Sequence, residues 1–148
     1  MEIKIYTDGA CIGNPGPGGW AAVIIENDKE KQIFGGEKLT TNNRMELTAA
    51  IKALEYCDGQ IEKQLSFKNI KIFTDSNYVK DGITTWINNW EKNNWKTADK
   101  KNVKNVDLWK KLKDLSKSKQ IDWHWIKGHS NDPMNDLADL LAKKATPI

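Results

Sequence analysis

Two stretches of this chain are near-copies of each other: Ile3-Lys4-Ile5-Tyr6-Thr7-Asp8-Gly9 and Ile70-Lys71-Ile72-Phe73-Thr74-Asp75-Ser76. Each alternates β-branched or aromatic residues with polar ones and stops at an aspartate, as a strand does where it gives way to a loop or helix. Side by side, parallel and in register, they would put Asp8 and Asp75 on one face, about 4.8 Å apart by strand spacing. Two bare carboxylates at that separation repel by roughly 3–4 kcal/mol at an effective dielectric near 20. Such a pair must share a proton or hold a cation, and the matched placement favours the cation. Either aspartate alone reads equally well as the cap of a following turn or helix.

A length of 148 residues predicts one domain, residues 1–148, able to bury about two-thirds of its unfolded surface. The chain has no signal-type segment and no long apolar run, so a soluble cytoplasmic protein without membrane association is expected. Cys11 and Cys57 have neither metal-ligand spacing nor the pattern of a disulfide framework. The net charge of +3 is unevenly spread. Glu91 to Lys119 holds ten lysines against four acids, a local +6 that leaves −3 for the rest. That asymmetry suits a polyanion on one lobe and cations at an acidic centre elsewhere. A solvated helix face is the plainer reading of a lysine run. The interleaving of Trp86, Trp90, Trp95 and Trp109 raises the nucleic-acid reading to equal weight.

In chain order, Gly9 to Gly19 is a turn-rich link, followed by expected strands over Trp20 to Ile25 and Gln32 to Leu39, joined by a polar turn. The link is no P-loop, because no Gly-Lys-Ser/Thr follows and a strand rather than a helix comes next. Turn geometry explains its glycines best, with backbone access to a ligand as the alternative. A helix is expected from Thr40-Thr41-Asn42-Asn43 to Tyr56 or Cys57, capped by Asn42 or Asn43 and ended by Asp58-Gly59. Glu46 can complete a capping box. It also shares a helical face with Ala49, Ala50 and Ala53, which would turn it inward, where it needs a partner such as a cation shared with Asp8 and Asp75.

Short helices are expected over Asn77 to Thr84 and Thr85 to Asn89, then a polar, lysine-bearing excursion from Trp90 to Lys101. A helix over Val106 to Ser116 and a strand over Ile121 to Ile126 follow. A last helix begins at Asp132-Pro133 and is expected to bury Met134, Leu137, Ala138, Leu141 and Ala145, leaving Asp139 a solvated flank residue. Strands first, then alternating strands and helices, predict an α/β fold. Its mixed sheet would have an antiparallel meander on one side of the first strand and parallel strands on the other. Asp8, Asp75 and the His129 loop would fall beyond the carboxyl ends of the parallel strands, where such sheets bind ligands.

The ordered motifs Thr7-Asp8-Gly9, Gly13-Asn14-Pro15-Gly16-Pro17-Gly18-Gly19, Thr41-Asn42-Asn43-Arg44-Met45-Glu46-Leu47, Thr74-Asp75-Ser76 and Lys127-Gly128-His129 closely resemble bacterial type 1 ribonuclease H. The resemblance runs on through Trp95 to Lys101 and Val103 to Trp109, and so spans the chain. It implies a five-stranded mixed sheet flanked by helices, with no separate hybrid-binding domain in front. The implied activity is an endonuclease cutting the RNA strand of RNA–DNA hybrids to 5′-phosphate and 3′-hydroxyl ends. The family's catalytic, metal-holding carboxylates would fall on Asp8, Glu46, Asp75 and Asp139, against the spacing-only reading of Asp139, and its mobile histidine on His129.

The same resemblance places contacts to the RNA strand on Glu46, Cys11 (through its backbone), Asn14, Asn42 and Asn43, with Asn77 nearby, and a basic, tryptophan-bearing protrusion on Trp86, Trp90, Lys92, Lys96, Lys100 and Lys101. Leu39 stands where many relatives carry an arginine beside a DNA-phosphate pocket, which leaves Thr41 and Asn105 to form it. The implied cofactor is a pair of Mg²⁺ ions about 4 Å apart, with Mn²⁺ as an alternative, Asp8 bridging both. A monomer is the default. The rivals are a nuclease or strand transferase of the same architecture acting on DNA, and a catalytically silent hybrid-binding module.

Overall fold

The two near-copies form the middle of the sheet. β1 (Glu2–Cys11) and β4 (Asn69–Thr74) run parallel with Ile3 opposite Ile70, Ile5 opposite Ile72 and Tyr6 opposite Phe73. β2 (Gly16–Glu26) and β3 (Lys29–Thr40) add an antiparallel meander on one side, and β5 (Gln120–Trp125) pairs parallel to β4 on the other. The sheet order is β3-β2-β1-β4-β5, the expected mixed architecture. The computed structural model describes residues 2–61, 69–117, 119–127 and 132–147.

β2 and β3 are longer than the sequence pattern suggested. The polar turn shrinks to Asn27 and Asp28, with φ of 52° and 63°. Positive φ at both central residues is what a two-residue hairpin needs to match strand twist, and Asn and Asp tolerate it.

Helix α1 (Asn42–Ile61) packs Leu47, Ala50, Ile51 and Leu54 against Ile3, Ile5, Ile70 and Ile72 to form the main core. Each large aliphatic side chain so buried contributes about 1.5–3 kcal/mol. Two expectations fail here. Thr41, not Asn42 or Asn43, caps the helix, its Oγ1 accepting from the Arg44 N–H at 3.2 Å. Nor does Asp58-Gly59 end it. A side chain at Gly59 would meet open space, so the glycine costs only about 1 kcal/mol relative to alanine, and Asp58 is held by Lys119 at 2.6 Å.

The expected pair of short helices is one continuous rod: α2 (Asn77–Asp81), a π-helical turn (Gly82–Trp86) and α3 (Ile87–Lys92). Gly82 lies under the Trp109 ring, where a Cβ would come within 2.0 Å of Cη2. The bulged turn sits at that close approach, between two segments that each pack inward through Val79 and Ile87. α4 (Val106–Ser116) matches its expected bounds and buries Trp109 and Leu112.

α5 (Pro133–Ala145) lies on β1 and β2. Its buried line is Asn135, Ala138, Ala142 and Thr146, while the expected Met134, Leu137, Leu141 and Ala145 are only half-buried. The glycines of β2 and β3 explain the change of phase. A Cβ on Gly19 would come within 2.1 Å of the Ala142 carbonyl, and one on Gly36 within 2.2 Å of the Ala145 carbonyl. The helix backbone rests on bare strand, so small residues face the sheet and the large ones flare to the sides. Within the Gly9–Gly19 stretch the turn reading holds for Gly13, with φ of 70°, and for Gly16, where a Cβ would meet the Ile12 carbonyl at 1.9 Å, whereas Gly19 serves packing.

None of the described helices is long and apolar enough to cross a membrane.

Candidate active site

β1 alternates buried and exposed residues as far as Tyr6; Thr7, Asp8 and Gly9 are then buried in succession. The alternation ends because α1 covers one face of the strand and α5 the other. Asp8 is thus trapped between two helices, only 4 % exposed. Gly9 brings α1 onto β1: a Cβ there would lie 2.5 Å from the Glu46 backbone nitrogen and 2.6 Å from the Met45 carbonyl carbon. Glu46 is consequently also 4 % exposed and points inward, as its alanine face predicted. Asp75 directly follows the end of β4, two residues beyond the last position paired with β1. Carboxylate oxygens of Asp8, Glu46 and Asp75 all lie within 4.8 Å of one another.

These acids open on a cavity of about 420 Å³, lined also by Asn42, Asn43, Asn77, Tyr78, Asn135, Asp136 and Asp139. One backbone amide serves two of the carboxylates: Gly9 N–H donates to Asp8 Oδ1 at 2.9 Å and to Glu46 Oε1 at 3.1 Å. Glu46 Oε2 is buried and has no hydrogen-bond donor among the described residues. Asp139 is half-buried on the rim, paired with Lys143 at 2.9 Å, so the structure moves it from solvated flank to cavity wall.

Burial and then the Asp75 charge push the Asp8 carboxyl up to about 8, with Asp139 adding to the rise. Burial, followed by Asp8 and Asp75, holds Glu46 well above the usual carboxylate range. Hard oxygen donors crowded together, one of them orphaned, fit a divalent cation of the magnesium type. The crowding also predicts a pH effect. A carboxyl with a raised folded-state value binds more protons folded than unfolded, so its stabilisation is present below about 4 and is lost as pH rises towards 8. The melting temperature in a chelator should therefore fall over that window, and Mg²⁺ should raise it more at pH 8 than at pH 5. An equal gain at both pH values in a thermal melt would contradict the cluster's electrostatics.

The residues expected to touch nucleic acid fall into two groups. Asn42, Asn43 and Asn77 are exposed on the cavity wall, and Asn14 is tied to them through Oδ1, which accepts the Asn42 N–H at 2.8 Å. Cys11 is half-buried, its thiol turned to the Gly16 and Thr40 carbonyls at 3.6 and 3.5 Å. Lys92, Lys96, Lys100 and Lys101 are exposed and do not line the cavity. The tryptophans of this region mostly hold one another: Trp90 packs between Trp86 and Trp109, with centroids at 5.8 and 5.4 Å, and of these three only Trp86 (37 %) is substantially exposed. Thr41 and Asn105 are half-buried, and Leu39 is 75 % exposed. His129 lies outside the described residues.

Asn135 and Arg44 were not among the residues singled out from sequence. Asn135 is 2 % exposed with Oδ1 lacking a partner among the described residues, and it lines the same cavity. No sequence signal marks it, because its burial depends on how closely α5 settles on glycine.

A mixed sheet with acids gathered where the parallel pairing of its two central strands ends defines a hydrolase of the metal-dependent nuclease type. The chain belongs to the RNase H family, whose model matches residues 1–146. It is 55 % identical over 142 residues to a ribonuclease H of Parvibaculum lavamentivorans, covering 96 % of this chain and 90 % of that one. It is 56 % identical over 143 residues to a ribonuclease H of Alcanivorax borkumensis, covering 97 % and 90 %. Its fold also matches the crystal structure of a type 1 RNase H with the type 2 active-site motif, with a TM-score of 0.84 and 28 % identity over 97 % of this chain and 71 % of that one. The family is metal-dependent, and the Asp8–Glu46–Asp75 cluster is compatible with that requirement.

Proposed function

We propose that this chain, acting as a single monomeric domain over residues 1–148, is an endonuclease that hydrolyses the RNA strand of RNA–DNA hybrids and leaves 5′-phosphate and 3′-hydroxyl ends. The observation that carries the reading is the convergence of Asp8, Glu46 and Asp75 within 4.8 Å, on a cavity also walled by Asn42, Asn43 and Asn77. Acids at that density beside a phosphodiester are tolerable only with divalent cations. Two Mg²⁺ ions, held by Asp8, Glu46, Asp75 and Asp139, would supply an activated water and neutralise the charge that develops on the leaving oxygen.

The protein's own part is positioning. Gly9 fixes Asp8 and Glu46 through one shared amide, so two of the acids keep their places without a protein cation between them. Lys143 restrains Asp139 at the rim. Asn42, Asn43 and Asn77 present side-chain amides that both donate and accept, the chemistry that tells a 2′-hydroxyl from its absence. Asn14 fixes the loop in front of them, and the backbone at Cys11 is placed alongside by its β-ladder to Gly18. Thr41 and Asn105 form a contact to the DNA backbone. Trp86 and Trp90, with the exposed Lys92, Lys96, Lys100 and Lys101, form a second, salt-sensitive grip on that strand. His129 is assigned the proton relay on the strength of its Lys127-Gly128-His129 motif.

The test is a strand-labelled RNA–DNA hybrid incubated with and without Mg²⁺, beside single-stranded RNA and duplex DNA. The proposal expects Mg²⁺-dependent cuts in the RNA strand of the hybrid alone. Cleavage of duplex DNA at a comparable rate would move the chain to the DNA-acting reading, and binding without cleavage would make it a silent module.

A further inference from the structure

We propose that Arg44 is a positioning residue of the Thr41–Asn105 phosphate contact, its guanidinium turning the Asn105 amide donor-outward towards the nucleic-acid backbone. The inference rests on the reading of Thr41 and Asn105 as that contact. Asn105 occupies the N-cap position of α4 with a left-handed φ of 59°, yet its side chain makes no cap; its backbone carbonyl accepts from Leu108 and Trp109 instead. The side chain is committed sideways. Arg44 Nη1 donates to Asn105 Oδ1 at 3.2 Å, and Asn105 Nδ2 donates to the Tyr78 hydroxyl at 3.1 Å.

A guanidinium has only donors, so the amide oxygen must face Arg44 and the NH₂ must face away. One hydrogen of that NH₂ goes to Tyr78, and the other is available to a phosphate oxygen. At its other end, Arg44 donates its backbone N–H to Thr41 Oγ1 at 3.2 Å, which uses the hydroxyl as acceptor and leaves its O–H to donate. The Thr41 hydroxyl is thus oriented by a backbone amide that any residue at position 44 would supply, whereas the polarity of Asn105 depends on the Arg44 side chain.

Arg44 is poorly placed to be the phosphate ligand itself. Its Nη1 and Nη2 reach Asp107 Oδ1 and Oδ2 at 3.1 and 2.9 Å, a bidentate pair that offsets its charge. The contact it organises is therefore made by neutral donors. Their value to an anion depends on orientation, since an amide turned the other way would present its oxygen.

The experiment is steady-state cleavage of a labelled hybrid in Mg²⁺ by Arg44→Ala, Asn105→Ala, Thr41→Val and the Arg44→Ala/Asn105→Ala double variant, each across a KCl series. Arg44→Ala should raise KM about tenfold, the scale of one hydrogen bond to a charged group, with kcat within about twofold. Its slope of log KM against log salt should stay that of the wild type, and the double variant should be no worse than Asn105→Ala, because the side chain acts through Asn105. A slope shallower by about one, with penalties that add, would make Arg44 a direct phosphate ligand and overturn the proposal.

An unchanged KM in Arg44→Ala, with a raised KM in Asn105→Ala, would remove Arg44 while keeping the contact. If neither Asn105→Ala nor Thr41→Val raises KM, the contact itself is misread. Asp107→Asn guards against a folding defect in Arg44→Ala: loss of the anchor should raise KM, whereas an arginine released to grip phosphate would lower it.

Discussion

Replacing Asp8 by Asn is expected to lower hybrid cleavage by roughly a thousandfold or more, the several kcal/mol that charge stabilisation by a bound metal supplies to a transition state. Hybrid affinity should change only a few-fold, because the exposed lysines and the asparagines of the cavity wall are untouched. The same substitution should raise the melting temperature of the protein in a chelator. Asp8 is buried against Glu46 and Asp75, and its carboxyl is driven up to about 8 by that environment. An amide of nearly the same shape removes the like-charge cost while it can still accept from Gly9 N–H. A substitution that stabilises the fold while abolishing turnover marks a site whose acids are kept for chemistry rather than structure. Gel-resolved cleavage, filter binding and a thermal melt check the three parts, and normal turnover would refute the assignment.

The second large effect concerns a residue that carries no chemistry. Gly9→Ala should destabilise the protein by about 3 kcal/mol or more, at or beyond the upper end of ordinary overpacking. A Cβ at this position would come within 2.5 Å of the Glu46 nitrogen and 2.6 Å of the Met45 carbonyl carbon, both backbone atoms of α1 that no side-chain rotation can relieve. The helix must move away from β1. Glu46 moves with it, and its 3.1 Å bond to the Gly9 amide lengthens. Activity should fall along with stability, and more Mg²⁺ should be needed to reach half-maximal rate. Chemical denaturation and a Mg²⁺ titration of the cleavage rate measure the two effects. A variant as stable as the wild type would mean that the close approach of α1 to β1 is not required.

The sequence showed most of what depends on local pattern. The twin strands announce their pairing because alternation and the terminal aspartate repeat in register, and the inward turn of Glu46 follows from Ala49, Ala50 and Ala53 on its face. The meander and the bounds of α4 were equally readable. What escaped depends on how closely separate elements approach. The phase of α5 is set by Gly19 and Gly36 beneath its backbone, so a hydrophobicity count selects Leu137 and Leu141 where the fold buries Asn135, Ala138 and Ala142. On spacing alone Asp139 therefore reads as a solvated residue, and only the resemblance placed it at the site. The same limit applies to Arg44, whose partners Asn105 and Asp107 lie far along the chain and give no local sign. The α1 cap went to Thr41 rather than an asparagine because either type serves chemically, and tertiary contacts such as the Asn14–Asn42 bond decide between them.

The central claim is that Asp8, Glu46 and Asp75 are one cation site. Crystals soaked in Mn²⁺ and measured at a wavelength where manganese scatters anomalously would test it most directly. The expected result is an anomalous peak within bonding distance of carboxylate oxygens of all three residues, lost in Asp8→Asn crystals soaked the same way. A difference map with no peak there, or with manganese only at surface acids elsewhere, would contradict the account.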